Sequence, residues 1–192
     1  MTPEPASGST RLRLLLETHM QALEPEILWP SLHAVVMEQG QAANHLFLVN
    51  QGQLAVEVHG ANRPLRTIAV VTTGALLGEM ALFGEAFHQA RVRVLAEPTE
   101  LVRISRESIH RAMLFDSELA AEMLLISSER CKTSNGWINL LLDGIQACAN
   151  ADPKALEHVC NDLSQGPTSM GDAAQHLRAL LASMVSSSVP KA

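Results

Sequence analysis

A chain of 192 residues with 47% apolar content can hold one domain of ordinary size and a flanking helical segment, but not two large domains. Its formal charge of -6, with few and scattered Lys and Arg, leaves no basic face for nucleic acid or an anionic membrane. The three cysteines, Cys131, Cys148 and Cys160, are odd in number and lack a Cys-x-x-Cys spacing, which argues against a disulfide framework or a zinc site.

Met1 to Ser9 are rich in proline, serine and glycine and read as a loose leader without the basic and apolar pattern of a signal peptide. No apolar run reaches the roughly 18 residues of a membrane span, so a soluble, unexported, cytoplasmic protein in a reducing compartment is expected. Leu12, Leu16 and Leu23 recur at near-helical spacing, which predicts a short amphipathic helix capped at Ser9 or Thr10 and stopped by Pro25. Leader and helix form a first segment, residues 1–24.

Residues 25–116 change pattern. Short leucine and β-branched runs punctuated by Gly40, Gly52, Gly60 and Gly74 predict an all-β roll or barrel. Leu54, Val56 and Val58 alternate with Ala55, Glu57 and His59, as in a half-buried strand between turns at Asn50-Gln51-Gly52 and Gly60-Ala61-Asn62.

From Gly74 to Leu101 the sequence GALLGEMALFGEAFHQARVRVLAEPTEL joins a glycine turn, an acid, an apolar helical turn and a cationic strand expected at Gln89 to Leu95. Free N–H groups at the start of such a turn suit an anion. Alternation puts Arg91 and Arg93 on one face, read as solvated, and Val92 and Val94 on the other. Met80, Met113 and Met123 read as core filler.

The run Gly78-Glu79-Met80-Ala81-Leu82 resembles the phosphate-binding cassette of cyclic-nucleotide-binding domains, the family of catabolite activator proteins and protein kinase A regulatory subunits. The glycine-framed stretch Gln39 to Gly52 resembles the strand pair that precedes that cassette. Together the resemblance covers about Trp29 to Ile126. It implies a mainly β fold, an antiparallel, jelly-roll-like β-roll of bacterial type with flanking helices. It also implies a ligand site of Gly78, Glu79, Met80, Ala81, His88, Gln89 and Ala90 for a cyclic mononucleotide such as cyclic AMP. In that site Glu79 takes the ribose 2'-hydroxyl and the amides of Met80 and Ala81 cradle the phosphate. His88 stands where the family has its phosphate-binding arginine, followed by Gln89 and Ala90. Loss of that guanidinium keeps a second reading open, the same fold with no ligand.

After a strand at Glu100 to Ile104, Ser105 is expected to cap a short helix, and Asp116 or Ser117 a long one over residues 117–149. The family's second closing helix lies over the base and often pairs with its twin. Here the candidate homodimer seam is Leu124, Ser128, Cys131, Asn135, Ile138, Leu142 and Ile145, unless Asn135-Gly136 ends the helix. Residues 150–192 form a C-terminal helical extension, with one helix opened by Asp152-Pro153 and closed by Gly166-Pro167. A last helix starts in a capping-box-like Ser169 and Asp172 and carries Leu177, Leu180, Leu181 and Met184.

No Walker loop, Gly-x-Ser-x-Gly elbow, His-Glu-x-x-His helix or clustered cupin histidines occur, so no catalytic residue, metal or cofactor is expected. Beyond Thr133 the only basic residues are Lys154, Arg178 and Lys191, too few for a recognition helix. A sensor or adaptor that acts on a partner protein, with neither nucleic acid nor membrane, is the expected function.

Overall fold

The computed structural model describes residues 7–60, 64–84 and 87–187. Most of the leader and the Ala61-Asn62 turn lie outside them. The chain divides into two compact units, Met1–Glu129 and Arg130–Ala192.

The first unit is an antiparallel β-roll with flanking helices. Helices α1 (Ser7–Thr18) and α2 (Met20–Leu23) lead into β1 (Glu26–Leu28), β2 (Val35–Met37), β3 (His45–Gln51), β4 (Gln53–Val58), β5 (Arg66–Thr72) and β6 (Leu76–Leu77). A 3-10 turn (Glu79–Leu82), β7 (Arg91–Val94), β8 (Glu100–Ser105), α3 (Arg106–Phe115) and α4 (Ser117–Ala149) follow. Sheet A has the order β1-β8-β3-β6 and sheet B the order β2-β7-β4-β5.

Alternation along β3 explains its continuous apolar run, HLFLV. Phe47 and Val49 face a core between the sheets with Leu54, Val92, Val94 and Leu101. Leu46 and Leu48 face a second core with Leu12, Leu16, Leu23, Ile109, Leu119 and Met123. Strand β3 is thus buried on both faces, and α1 and α3 cover sheet A there because each presents an apolar stripe. Met123 is core as expected, whereas Met80 is exposed.

Helix α1 begins at Ser7, so Ser9 and Thr10 lie inside it rather than capping it. Ser105 does cap α3, its Oγ accepting from the Ser108 amide at 3.0 Å. Asp116 caps α4, its Oδ1 accepting from Glu118 and Leu119. The other Asp116 oxygen lies 2.6 Å from His19 Nε2, which ties α4 to the α1–α2 junction. The His19 hydrogen bond first, and the Leu119 amide after it, hold the Asp116 carboxyl below its ordinary value.

Helix α4 runs through Asn135 and Gly136 without a break. In the second unit its Trp137, Leu140, Leu141, Ala147 and Cys148 pack with α5 (Pro153–Ser164) and α6 (Thr168–Ser187). Asp152 accepts from the Lys154 and Ala155 amides and opens α5 with Pro153 at its first turn. Helix α6 starts at Thr168, so Ser169 is inside it and does not form the cap read from the sequence. Leu177 is buried, but Leu180 is exposed. Burial pushes the Cys160 thiol up, and its Sγ lies 3.4 Å from the Ala174 carbonyl, so it serves packing. No helix of the described residues is long and apolar enough to cross a membrane.

Candidate functional site

The cassette hangs on Gly78. Its φ is +85°, and an added Cβ would lie 2.8 Å from the His45 carbonyl oxygen, so backbone meets backbone where only glycine fits. The 3-10 turn that follows buries Glu79 to 1% exposure and also buries Ala81 and Leu82, while Met80 faces solvent. The Ala81 amide donates to the Gly78 carbonyl at 3.2 Å, so in this structure it is engaged inside the turn.

His88 is held by backbone rather than by its ring. Its N–H donates to the Gln41 carbonyl at 2.9 Å, and its carbonyl accepts from the Gly40 amide at 2.8 Å. An isolated bridge between Ala42 and Phe87 extends this staple. The ring is only 8% exposed, and its Nδ1 has no hydrogen-bond partner. Burial, and then the neighbouring His45, hold its pKa below the ordinary imidazole value, so the ring is neutral at pH 7. Gln89 is exposed and donates to the Phe87 carbonyl, and Ala90 is half-buried.

The cassette strand starts at Arg91, two residues later than Gln89. Arg91 and Arg93 do not form a solvated face. Both flank Glu57, which is 3% exposed on the outer face of sheet B. Arg93 Nη2 lies 2.5 Å from Glu57 Oε1, and Arg91 Nε lies 3.9 Å from Glu57 Oε2 and 3.8 Å from Glu38. The Glu57 hydrogen bond raises the Arg93 pKa further, so that cation is committed to this carboxylate, whereas the buried Arg91 Nε makes no hydrogen bond among the described residues. Strand β4 is therefore buried on both faces over Ala55 and Glu57, not half-buried.

The structure also gathers residues that spacing did not single out: His45 against Gly78, and the Arg103–Glu26 ion pair on the same face of sheet A. Parity was the available signal, because His45 lies two residues before Phe47 and Arg103 two after Leu101. Among the described residues, no group of three or more His, Cys, Asp or Glu could hold a metal ion.

The cyclic nucleotide-binding domain family matches residues 31–115, which span both sheets, the cassette and α3. This segment belongs to that family. The chain is also similar to part of the cGMP-dependent protein kinase egl-4 of Caenorhabditis elegans, 33% identical over 75 residues, 38% of this chain. The match spans 10% of the kinase's length. Among solved structures, the catabolite activator protein of Thermus thermophilus aligns over 93% of this chain and 89% of its own, with a TM-score of 0.63 and 20% identity. The regulatory domain of Toxoplasma gondii PKA with cAMP aligns over 65% of this chain and 48% of its own, with a TM-score of 0.53 and 17% identity. The sensor domain of the transcriptional regulator DNR from Pseudomonas aeruginosa aligns over 62% and 91%, with a TM-score of 0.52 and 18% identity. At these identities the structures speak for the fold alone.

Proposed function

We propose that the protein is a non-enzymatic sensor or regulatory adaptor whose β-roll takes a cyclic mononucleotide and passes ligand state to a partner protein. The observation that carries this reading is the intact cassette turn: Gly78 in its left-handed conformation, Glu79 buried behind it, and a ring nitrogen of His88 with its hydrogen bond unmade. A buried polar atom without a partner costs free energy that a ligand can recover. The missing guanidinium favours a second reading, a ligand-free fold that serves as a constitutive interaction module.

Thermal denaturation with cyclic AMP and cyclic GMP separates the two. Ligand at about 100 times its dissociation constant adds about 2.7 kcal/mol of stability. Glu79→Ala is expected to retain the fold and weaken binding by roughly 1.5 to 3 kcal/mol, the worth of a charge-assisted hydrogen bond. An unshifted melting temperature with either nucleotide in the wild type supports the ligand-free module.

Signalling is assigned to α4. Leu124, Ser128, Cys131, Asn135, Ile138, Leu142 and Ile145 are all exposed and follow the four-three spacing of a coiled-coil seam on an unbroken helix. Asn135 occupies an a-type position, where a polar residue specifies register at some cost in stability. The seam supports a homodimer, and Ile138→Glu with Leu142→Glu is expected to halve the mass in sedimentation equilibrium. A wild type that already sediments as a monomer removes this part of the reading.

A further inference from the structure

Helix α1 lays Leu12 and Leu16 on the outer face of sheet A, and both are buried there. The next position of that i, i+4 stripe is Met20, but α1 ends at Thr18 and α2 restarts at Met20, so the stripe is broken at His19. Met20 is accordingly exposed, and the sheet beneath it is incompletely covered. What remains is a cavity of about 190 Å³. Its floor is Leu48, Val102 and Ile104, with Leu48 opposite Val102 in the β3–β8 register, and its roof is Leu16 and Met20. All of these except Met20 are buried.

The polar groups at its rim answer one another. Arg13 Nε donates to Glu17 at 3.0 Å, and Asn50 Nδ2 donates to Glu100 at 2.9 Å. Nothing in the lining therefore calls for a charged ligand. An engineered apolar cavity of about 150 Å³ stays dry and binds benzene, so the present volume suits one aromatic ring with a short alkyl group. The Met20 thioether favours a ring over a branched alkane through sulfur–aromatic contact, and it moves aside at small cost. The buried floor excludes a helix or strand of a partner protein, which would need those side chains open to it.

We propose that this cavity is a second ligand site, for an uncharged single-ring aromatic molecule, and that it reports to α4. It stands independently of the nucleotide reading, because no cassette residue lines it. The route lies in the roof. Leu16 and Met20 flank His19, whose Nε2 lies 2.6 Å from the Asp116 carboxylate, and the other Asp116 oxygen caps α4 through the Glu118 and Leu119 amides. A ring that seats Met20 fixes the α1–α2 junction, and His19 carries that to the cap.

The test is a titration of ethylbenzene into the full chain, without nucleotide, followed by methyl and amide NMR. Saturable shifts are expected at the methyls of Leu16, Leu48, Val102 and Ile104, and none at Val92 and Val94, which lie between the sheets. Phenylacetate carries the same ring with a carboxylate and is expected to bind about tenfold or more weakly, because nothing in the cavity replaces its lost hydration. Val102→Phe fills the cavity from its floor and is expected to abolish the ethylbenzene shifts; the wild-type readouts decide alone where that variant does not fold. Shifts that are absent, never saturate, extend to Val92 and Val94, or persist in folded Val102→Phe overturn the site. Phenylacetate binding as tightly as ethylbenzene overturns the assignment of an uncharged ligand. The Glu118 and Leu119 amides are expected to move with the methyls in wild type and to stay still in His19→Ala. Amides that stay still in wild type, or move equally in His19→Ala, overturn the relay to α4 and leave the site standing.

Discussion

Arg93→Ala is expected to lower stability by about 3 kcal/mol, the lower end of the range for breaking a buried ion pair by removing one partner. The lower end applies because the Arg93 side chain keeps 26% of its surface in water, while that of Glu57 keeps 3%. Without Arg93 the buried carboxylate loses its hydrogen bonds to Nε and Nη2 and, among the described residues, keeps only Arg91 at 3.9 Å. The cost comes mainly from the stranded anion, not from the strength of the bridge. Arg93→Met combined with Glu57→Met is therefore expected to recover most of the loss, because the pair is replaced by apolar groups on a face already half covered. Urea denaturation of wild type, Arg93→Met, Glu57→Met and the double variant measures this as a cycle, with Arg93→Ala alongside. A double variant as unstable as Arg93→Ala would assign the loss to packing of the arginine stem instead.

The same pair shows where the sequence stops being legible. Val92 and Val94 announced their face correctly, and both are in the core between the sheets. Arginines at alternate positions look the same from the sequence whether water or a buried acid receives them. What decides is the register of β7 against β4, Glu57 opposite Arg91 and Ala55 opposite Arg93, a long-range pairing. The cassette turn was legible because its need for glycine is local in kind, although its cause, the His45 carbonyl, is 33 residues away in sequence. His88 was legible as the position of a missing arginine. Its burial was not, since that depends on the backbone staple to Gly40 and Gln41.

Helix α4 carries the converse lesson. Asn135-Gly136 is a respectable local stop, and yet the helix continues to Ala149. Tertiary packing overrides a local cost of about 1 kcal/mol for an interior glycine, because Trp137, Leu140 and Leu141 gain contacts with α5 and α6 only if the helix goes on. Trp137 fills the space above Gly166, where an added Cβ would meet the indole at 2.6 Å. Nothing in the spacing of the α4 apolar residues alone distinguishes those packed in the second unit from those left exposed on the seam.

Gly52→Ala is expected to be the most damaging alanine substitution among the glycines that frame the strand pair, at about 3 to 5 kcal/mol when backbone strain and overpacking are combined. Two independent obstacles meet there. Gly52 has a φ of +108°, outside the reach of an ordinary L-residue, between the end of β3 and the start of β4. An added Cβ would also lie 2.1 Å from Thr99 Oγ1 and 2.9 Å from the Thr99 Cα. The hydroxyl cannot simply rotate away, because Thr99 is 2% exposed and its Oγ1 donates to the Ala96 carbonyl at 2.6 Å. Relief would require the β7–β8 connection to move off the β3–β4 turn. Gly40, the other framing glycine, is the internal control: its φ is +81°, but an added Cβ meets nothing within 4 Å. Gly40→Ala should therefore cost only the left-handed backbone penalty, about 1 to 2 kcal/mol. The two residues look equivalent in the sequence, so the gap between their denaturation midpoints isolates the steric part. Equal losses in the two variants would show that Thr99 yields to the methyl group and that conformational strain alone explains both glycines.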